Sequence, residues 1–490
     1  MKTSLLLATA AAVAALAVPS EARACGGTFC DTGPAAMPVD QKGENVLFVV
    51  EDGMVEAHVQ IQYTGNPEQF AWIVPVMAAP EIEVGSDLLF QAALTATVPT
   101  FTLNTRAEDN CQSDQGNAFG CGLDSVALEG ASAAGDGGFF EDESAPTVVE
   151  RDVVGSFEFA VLEGGTSEGV EAWLDDNGFA QDDDAGPILD EYLDDGFMFV
   201  AFKLRPGAGT DEIHPVVVRY EGDEPCVPLR LTRIAAEEDM GVRVFFLGDH
   251  RVVPTNYRHV QINPLQIDWI NLGSNYEEVV TLAVDEDGSN GHGFVTEYAG
   301  PSAVVEDSAV FSDAWDAEAL AAVEPRRMTE ELTRQGLISC GFDFDGTCGY
   351  QHPLIAGVLA SFLPPPAGVS PEDYYLCTTC AVEPDEENWD REGFESAMEE
   401  RIIAPGAAAR EALWYHPYLT RLYTTISPAE MTEDPLFHEN EKMPDVSNQW
   451  TATRVLDCEG PDHLEFPDGR EIWFDEDDVP PRFSDMPMSV

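Results

Sequence analysis

Between residues 46 and 76 apolar and polar positions alternate with the period of a pleated strand. Val46 to Val50 is a short apolar run ending at Asp52-Gly53, a hairpin signal. Val55, Ala57, Val59, Ile61 and Tyr63 then alternate with Glu56, His58, Gln60 and Gln62. This predicts a strand with the first set on a core and the second in water. Phe70, Trp72, Val74 and Val76 predict a third strand before Ala78-Ala79-Pro80. Strand patterns recur at 153–162, 197–204, 216–220, 227–234 and 242–247, separated by turn residues. Such spacing predicts antiparallel pairing rather than a wound parallel sheet. Two short helices are expected inside this half. Val170, Trp173 and Leu174 share one face, and Ile188, Leu189, Tyr192 and Leu193 share another, closed by Gly196.

The period lengthens after residue 263. Tyr276, Val279, Val280, Ala283 and Val284 fit helical spacing behind a capping box at Ser274 to Glu277. Residues 294–299 read as a strand. Windows 315–323, 328–337, 354–363, 394–403 and 407–423 read as helices, and Ser427-Pro428-Ala429-Glu430 as a further helix start. The expected fold class is α+β, with an antiparallel β-rich N-terminal part carrying short helices and a helical C-terminal part. The expected divisions are a signal peptide at 1–24, a β-rich domain at 25–262 and a mainly helical domain at 263–456. An acidic, Pro-rich segment follows at 457–490, and Gly, Ala, Ser and acids mark 129–147 as a flexible insertion.

Charge narrows the function. Lys plus Arg is 24 and Asp plus Glu is 90 in 490 residues, a formal charge of −66. The apolar fraction of 44% suffices for hydrophobic cores. A nucleic-acid partner needs clustered Lys and Arg, and docking on an anionic membrane needs the same, so both are excluded as expectations. Only Lys2, Lys42, Lys203 and Lys442 supply lysine. An acid-rich, Lys-poor chain repels itself in dilute salt, and the screening length shrinks from about 10 Å at 0.1 M to about 3 Å at 1 M. We therefore expect halophilic adaptation to saline surroundings, or cation binding at many weak sites: the melting temperature should rise between 0.1 and 2 M NaCl, and a flat profile would remove the support for this.

The first residues read as an export signal. Lys2 precedes an apolar stretch from Leu5 to Val18, too short to span a bilayer, and Ala22-Arg23-Ala24 is an A-x-A cleavage site. Cleavage leaves Cys25 first. A lipoprotein reading of Cys25 is the weaker one, because Ala22 and Arg23 stand where a lipobox wants Leu and a small residue. The expected location is extracytoplasmic, periplasmic or secreted, and no later window is apolar enough for an integral membrane segment.

Ten Cys in an exported chain predict disulfides. Proximity pairs Cys25 with Cys30, Cys111 with Cys121, and Cys340 with Cys348. For the rest it suggests Cys377 with Cys380 and Cys226 with Cys458. The C-x-x-C at Cys377-Thr378-Thr379-Cys380 also admits a redox dithiol or half a zinc site.

Several blocks together resemble one family. They are Ala24-Cys25-Gly26-Gly27-Thr28-Phe29-Cys30, His58 to Tyr63, Phe70 to Val76, Pro228 to Ile234, Phe294 to Tyr298 and Tyr418 to Thr425 with Ser427-Pro428. They resemble the exported bacterial family named "domain of unknown function 2330". The resemblance spans nearly all of the mature chain. It implies an extracytoplasmic protein of Gram-negative bacteria and supplies no catalytic residues.

Candidate chemistry is sparse. Asp343 and Asp345, in an Asp-x-Asp-Gly turn within the Cys340–Cys348 loop, are a weak calcium site, as is 285–290; no other cofactor is expected. Seven Arg between 205 and 258 (Arg205, Arg219, Arg230, Arg233, Arg243, Arg251 and Arg258) offer either an anion pocket or strand-face ion pairs, the latter favoured. No H-E-x-x-H, G-x-S-x-G or phosphate loop occurs. The resulting expectation is a non-enzymatic binding or envelope-interaction protein with an extracellular or envelope partner. The alternative is a secreted hydrolase with an acid-based or metal-assisted site.

Overall fold

The computed structural model describes residues 43–51, 53–61, 71–108, 145–177, 185–206, 208–209, 212–222, 224–233, 236–340, 348–366, 368–380, 389–458 and 460–474. An eight-stranded mixed sheet runs in the order Arg258–Val260, Gly293–Pro301, Tyr418–Ile426, Met240–Gly248, Gly43–Glu51, Met54–Ile61, Val216–Glu221, Glu81–Val84. Gly43–Glu51 lies parallel to Met240–Gly248, and Arg258–Val260 parallel to Gly293–Pro301; the other neighbours are antiparallel.

The period-two pattern sends side chains to opposite faces of this sheet. Val46 and Phe48 enter one core while Leu47 and Val49 enter another. The first core is shared with an antiparallel sheet ordered Ala71–Val76, Met198–Leu204, Phe157–Glu163, Thr147–Val154. Phe157, Phe159, Val161 and Phe202 meet Phe48, Val59, Val244 and Phe246 there. Full burial of one such side chain stabilises by roughly 1.5–3 kcal/mol. Helices Ser167–Asp176 and Gly186–Asp194 cover the outer face of this second sheet through Val170, Leu174, Ile188 and Leu189. On the opposite face of the main sheet, helices Asp87–Thr97 and Ala404–Tyr415 set Leu89, Phe90, Ala409 and Leu413 on Leu47, Phe245 and Leu247.

Two further units complete the described structure. Strands Thr100–Ala107, Gln449–Leu456, His463–Glu465 and Glu471–Trp473 form a third sheet, its first pair parallel. It packs with helix Tyr276–Val284 around Phe101, Trp269, Val280 and Leu464. Helices Ala317–Ala322, Met328–Arg334, Ile355–Phe362, Pro371–Leu376 and Arg391–Met398 close on a core of their own that includes Leu320, Leu332, Leu359 and Phe394. The fold is mixed α and β, as expected. Among the described residues no helix is long and apolar enough to cross a membrane.

The helical reading of the second half needs correction. Residues 407–423 do not form one helix: Ala404–Tyr415 is helical, His416 is extended before Pro417, and Tyr418–Ile426 is a strand deep within the main sheet. The residue before Pro avoids the helical region, and from there Leu419, Arg421 and Tyr423 alternate with Thr420, Leu422 and Thr424. Ser427-Pro428-Ala429-Glu430 makes a turn rather than a helix start, although Glu430 Oε2 accepts the Ser427 N–H at 2.9 Å as a capping box would. Residues 227–234, read as a strand, contain the helical turn Leu229–Thr232 behind Pro228. The stretch after 457 is acidic but contributes two strands. Antiparallel pairing dominates the first half, with the parallel contacts of Gly43–Glu51, Thr100–Ala107 and Arg258–Val260 as exceptions.

Candidate functional site

Strands Gly43–Glu51, Met54–Ile61 and Val216–Glu221 and the C-terminal end of helix Ala404–Tyr415 enclose a groove of about 390 Å³. Glu51, Glu56, Arg219, Glu411, Tyr415 and His416 supply its polar and aromatic wall. Arg219 and Glu56 occupy opposed positions on neighbouring strands, so their side chains meet on one face. Arg219 donates from Nε at 2.9 Å and Nη2 at 2.7 Å to Glu56 Oε2, while its Nη1 lies 3.5 Å from Glu83. His58 Nε2 stands 2.7 Å from the other oxygen of Glu56. Burial alone would raise the Glu56 pKa, but His58 and Arg219 together hold it down at about 2. The groove's guanidinium is therefore already neutralised, and Glu51 and Glu411 leave the wall net negative. At its lip Tyr415 is 73% exposed; Trp414, 66% exposed, does not line the groove and has Arg410 stacked 5.1 Å from its ring centre.

Behind the groove the polar face of Met54–Ile61 is not in water. It lies under helix Asp87–Thr97, and His58 is buried. Asn45 Nδ2 donates to Gln60 Oε1 at 3.0 Å, and Gln60 Nε2 reaches Asp87 Oδ1 at 3.5 Å. Burial pushes the Asp87 carboxyl up to about 7 despite Gln60 and the nearby Arg401 charge. Further along the same face Arg421 Nε donates to Glu297, and its Nη1 donates to the Leu94 carbonyl at 3.1 Å and to Thr97 Oγ1 at 3.3 Å. Both members of that pair are buried.

A second polar hub joins the helical core to the sandwich. The π-helical turn Glu399–Ile403 presents Arg401, whose Nη1 donates to Glu212 Oε2 at 3.0 Å, and Glu400, which accepts the Gly155 N–H at 3.1 Å. Gly155 turns the hairpin between Thr147–Val154 and Phe157–Glu163 with φ +57°, and a Cβ there would fall 2.2 Å from His214 Nε2. That nitrogen accepts the Ser156 N–H at 3.1 Å, and Nδ1 bonds the Pro215 carbonyl at 2.8 Å. Burial, with the Arg401 charge adding, lowers the pKa of His214 and of His352 to about 3, so both are neutral.

The expected sites fare unevenly. Cys340–Cys348 and Cys377–Cys380 are disulfides. Cys226 is a free thiol and Cys458 is bonded to another residue, so the Cys226–Cys458 bridge does not form. Cys226 is instead held at a β-bridge opposite Leu436, where burial drives its thiol pKa up. Cys25, Cys30, Cys111, Cys121, Asp343 and Asp345 lie outside the described residues, as do the signal segment and nearly all of 129–147. The Arg run divides among separate partners: Arg219 takes Glu56, Arg230 takes Asp434 at 3.0 Å, and Arg251 takes Thr296 at 2.9 Å. Strand-face pairing is thus the arrangement found for Arg219. Arg401 and Glu297 carried no sequence signal, because their partners are distant in the chain.

These features define an α+β protein built on a mixed sheet, with an acidic, aromatic-lipped groove beside helix Ala404–Tyr415. The family model described as "Uncharacterized protein conserved in bacteria (DUF2330)" matches residues 19–437, and the chain belongs to that family. No curated protein and no solved structure matches the chain.

Proposed function

We propose that this is an extracytoplasmic, disulfide-stabilised binding protein that holds a cationic segment of a partner protein in the groove beside helix Ala404–Tyr415. The observation that carries the reading is Tyr415, exposed on a wall left negative by Glu51 and Glu411. Solvent-exposed aromatics of this kind anchor interfaces by covering apolar area at small entropy cost, and a rim of one sign selects the opposite charge. Two local disulfides and the absence of a membrane-crossing helix among the described residues support a location outside the cytoplasm.

The test uses a fluorescent eight-residue peptide alternating Lys with Ala, titrated by anisotropy in 0.3 M NaCl. The variant Y415A keeps every charge of the chain, so it separates the groove from diffuse attraction. A loss of affinity of tenfold or more in the variant is expected, about 1.4 kcal/mol. Equal binding by variant and parent, or none by either, refutes the proposal. Mass spectrometry of the recovered peptide should find it intact; cleavage would favour the hydrolase reading.

A further inference from the structure

We propose that His463, Glu465 and Glu471 form a binding site for a divalent transition-metal ion of the zinc class on the outer face of the third sheet. The hairpin dictates the arrangement. His463 and Glu465 are two residues apart on strand His463–Glu465 and so share a face, and the register sets Glu471 directly opposite Glu465. The intervening Leu464 and Ile472 point the other way into the core with Phe101 and Trp269. One ligand atom from each of the three residues lies within 4.8 Å of the others. A tetrahedral zinc ion with bonds near 2.1 Å needs its ligand atoms about 3.4 Å apart. The exposed Glu471 has the freedom to close that difference.

Two further observations point to a cation here. His463 is only 6% exposed; its Nε2 faces Glu465 Oε1 at 3.6 Å, beyond a hydrogen bond, and its Nδ1 has no hydrogen-bond partner among the described residues. Trp473 stacks on the imidazole with ring centres 4.1 Å apart and so fixes its plane. The sheet also sets two glutamates face to face, an arrangement that costs stability unless a positive charge lies between them. Arg106 answers part of this, donating to Glu465 Oε1 at 2.7 Å from the neighbouring parallel pair of strands. Glu471 has no such cation in its register position. An imidazole nitrogen with two carboxylates suits zinc and its neighbours rather than calcium, which takes oxygen alone. Three protein ligands leave a fourth position for water. The site lies past residue 437, where the family match ends, and is independent of the groove.

Metal uptake by the full chain, stripped with a chelator, is measured with zinc alone against a chromophoric competitor. The buffer holds 0.5 M NaCl and 5 mM CaCl2, so that carboxylates scattered over the surface are already screened and occupied. One zinc ion per chain is expected, with E465Q and E471Q each weakening it at least about tenfold. His463 is buried against Trp473, and its replacement could unfold the hairpin; E471Q alters an exposed side chain and decides the matter. Zinc bound as tightly by E471Q as by the parent, or zinc uptake that vanishes in calcium, overturns the site.

Discussion

Replacing Asp87 by Asn removes a buried charge without removing volume. Asp87 opens helix Asp87–Thr97 behind Ser86, whose Oγ accepts the Leu89 N–H at 3.2 Å, and its Oδ2 is buried without a hydrogen-bond partner among the described residues. Burial raises its pKa from 3.8 to about 7. In the folded chain the carboxyl therefore keeps a proton that the unfolded chain has already released. The stability this supplies is complete below pH 3.8 and is lost as pH rises through 7. The full swing is roughly 4 kcal/mol, at 1.36 kcal/mol for each tenfold difference in proton affinity. Between pH 5 and pH 8 the parent should lose about 3 kcal/mol from this residue, and D87N should lose none of it. Urea unfolding of both proteins at constant ionic strength from pH 5 to 8 measures the difference. Glu44, His214 and His352 also titrate differently in the folded chain, but they are common to both proteins and cancel. The gap should widen in favour of D87N up to pH 7 and then level off. A gap that stays constant across the range, or widens toward acid, would show that Asp87 is ionised in the folded protein and refute the reasoning.

Other perturbations probe separate parts of the molecule. E297Q strands the buried Arg421 guanidinium and should cost about 3–5 kcal/mol in urea unfolding; a loss below 1 kcal/mol would mean that water or another group takes over. Cys226, half-buried beside Asp434, should react more slowly with a thiol reagent in the folded state than in denaturant, because desolvation and the Asp434 charge keep it protonated. Immediate labelling of the native protein at Cys226 would contradict its placement.

How much of this was legible beforehand depends on the distance over which each feature is decided. Strands Gly43–Glu51, Met54–Ile61 and Met198–Leu204 follow from local alternation, and helices Ser167–Asp176 and Gly186–Asp194 from apolar faces ended by turn residues. The second set of side chains on Met54–Ile61 misled, because polarity in a strand reads as water when the actual cover is another helix carrying polar groups. Helix Asp87–Thr97, which provides that cover, had a readable start at Ser86-Asp87 followed by Leu88, Leu89 and Phe90. The strand Tyr418–Ile426 was hidden by apolar residues that fit either period, and Pro417 was the deciding signal. Arg421 with Glu297 and Arg401 with Glu212 pair over long separations, so no local pattern announces them. The hairpin that sets His463 and Glu465 beside Glu471 was missed because 457–490 read as an acidic, Pro-rich segment, although Asp468-Gly469 is a turn signal.

The position of Tyr418–Ile426 between Gly293–Pro301 and Met240–Gly248 governs the order in which the chain can assemble. A ribosome or a translocation channel delivers that piece after nearly everything it must join. Until then the earlier strands stand as two unfinished groups, each with an open edge able to recruit the wrong neighbour. Contacts of such long separation close slowly, so the molecule reaches its final form only once almost the whole polypeptide has emerged.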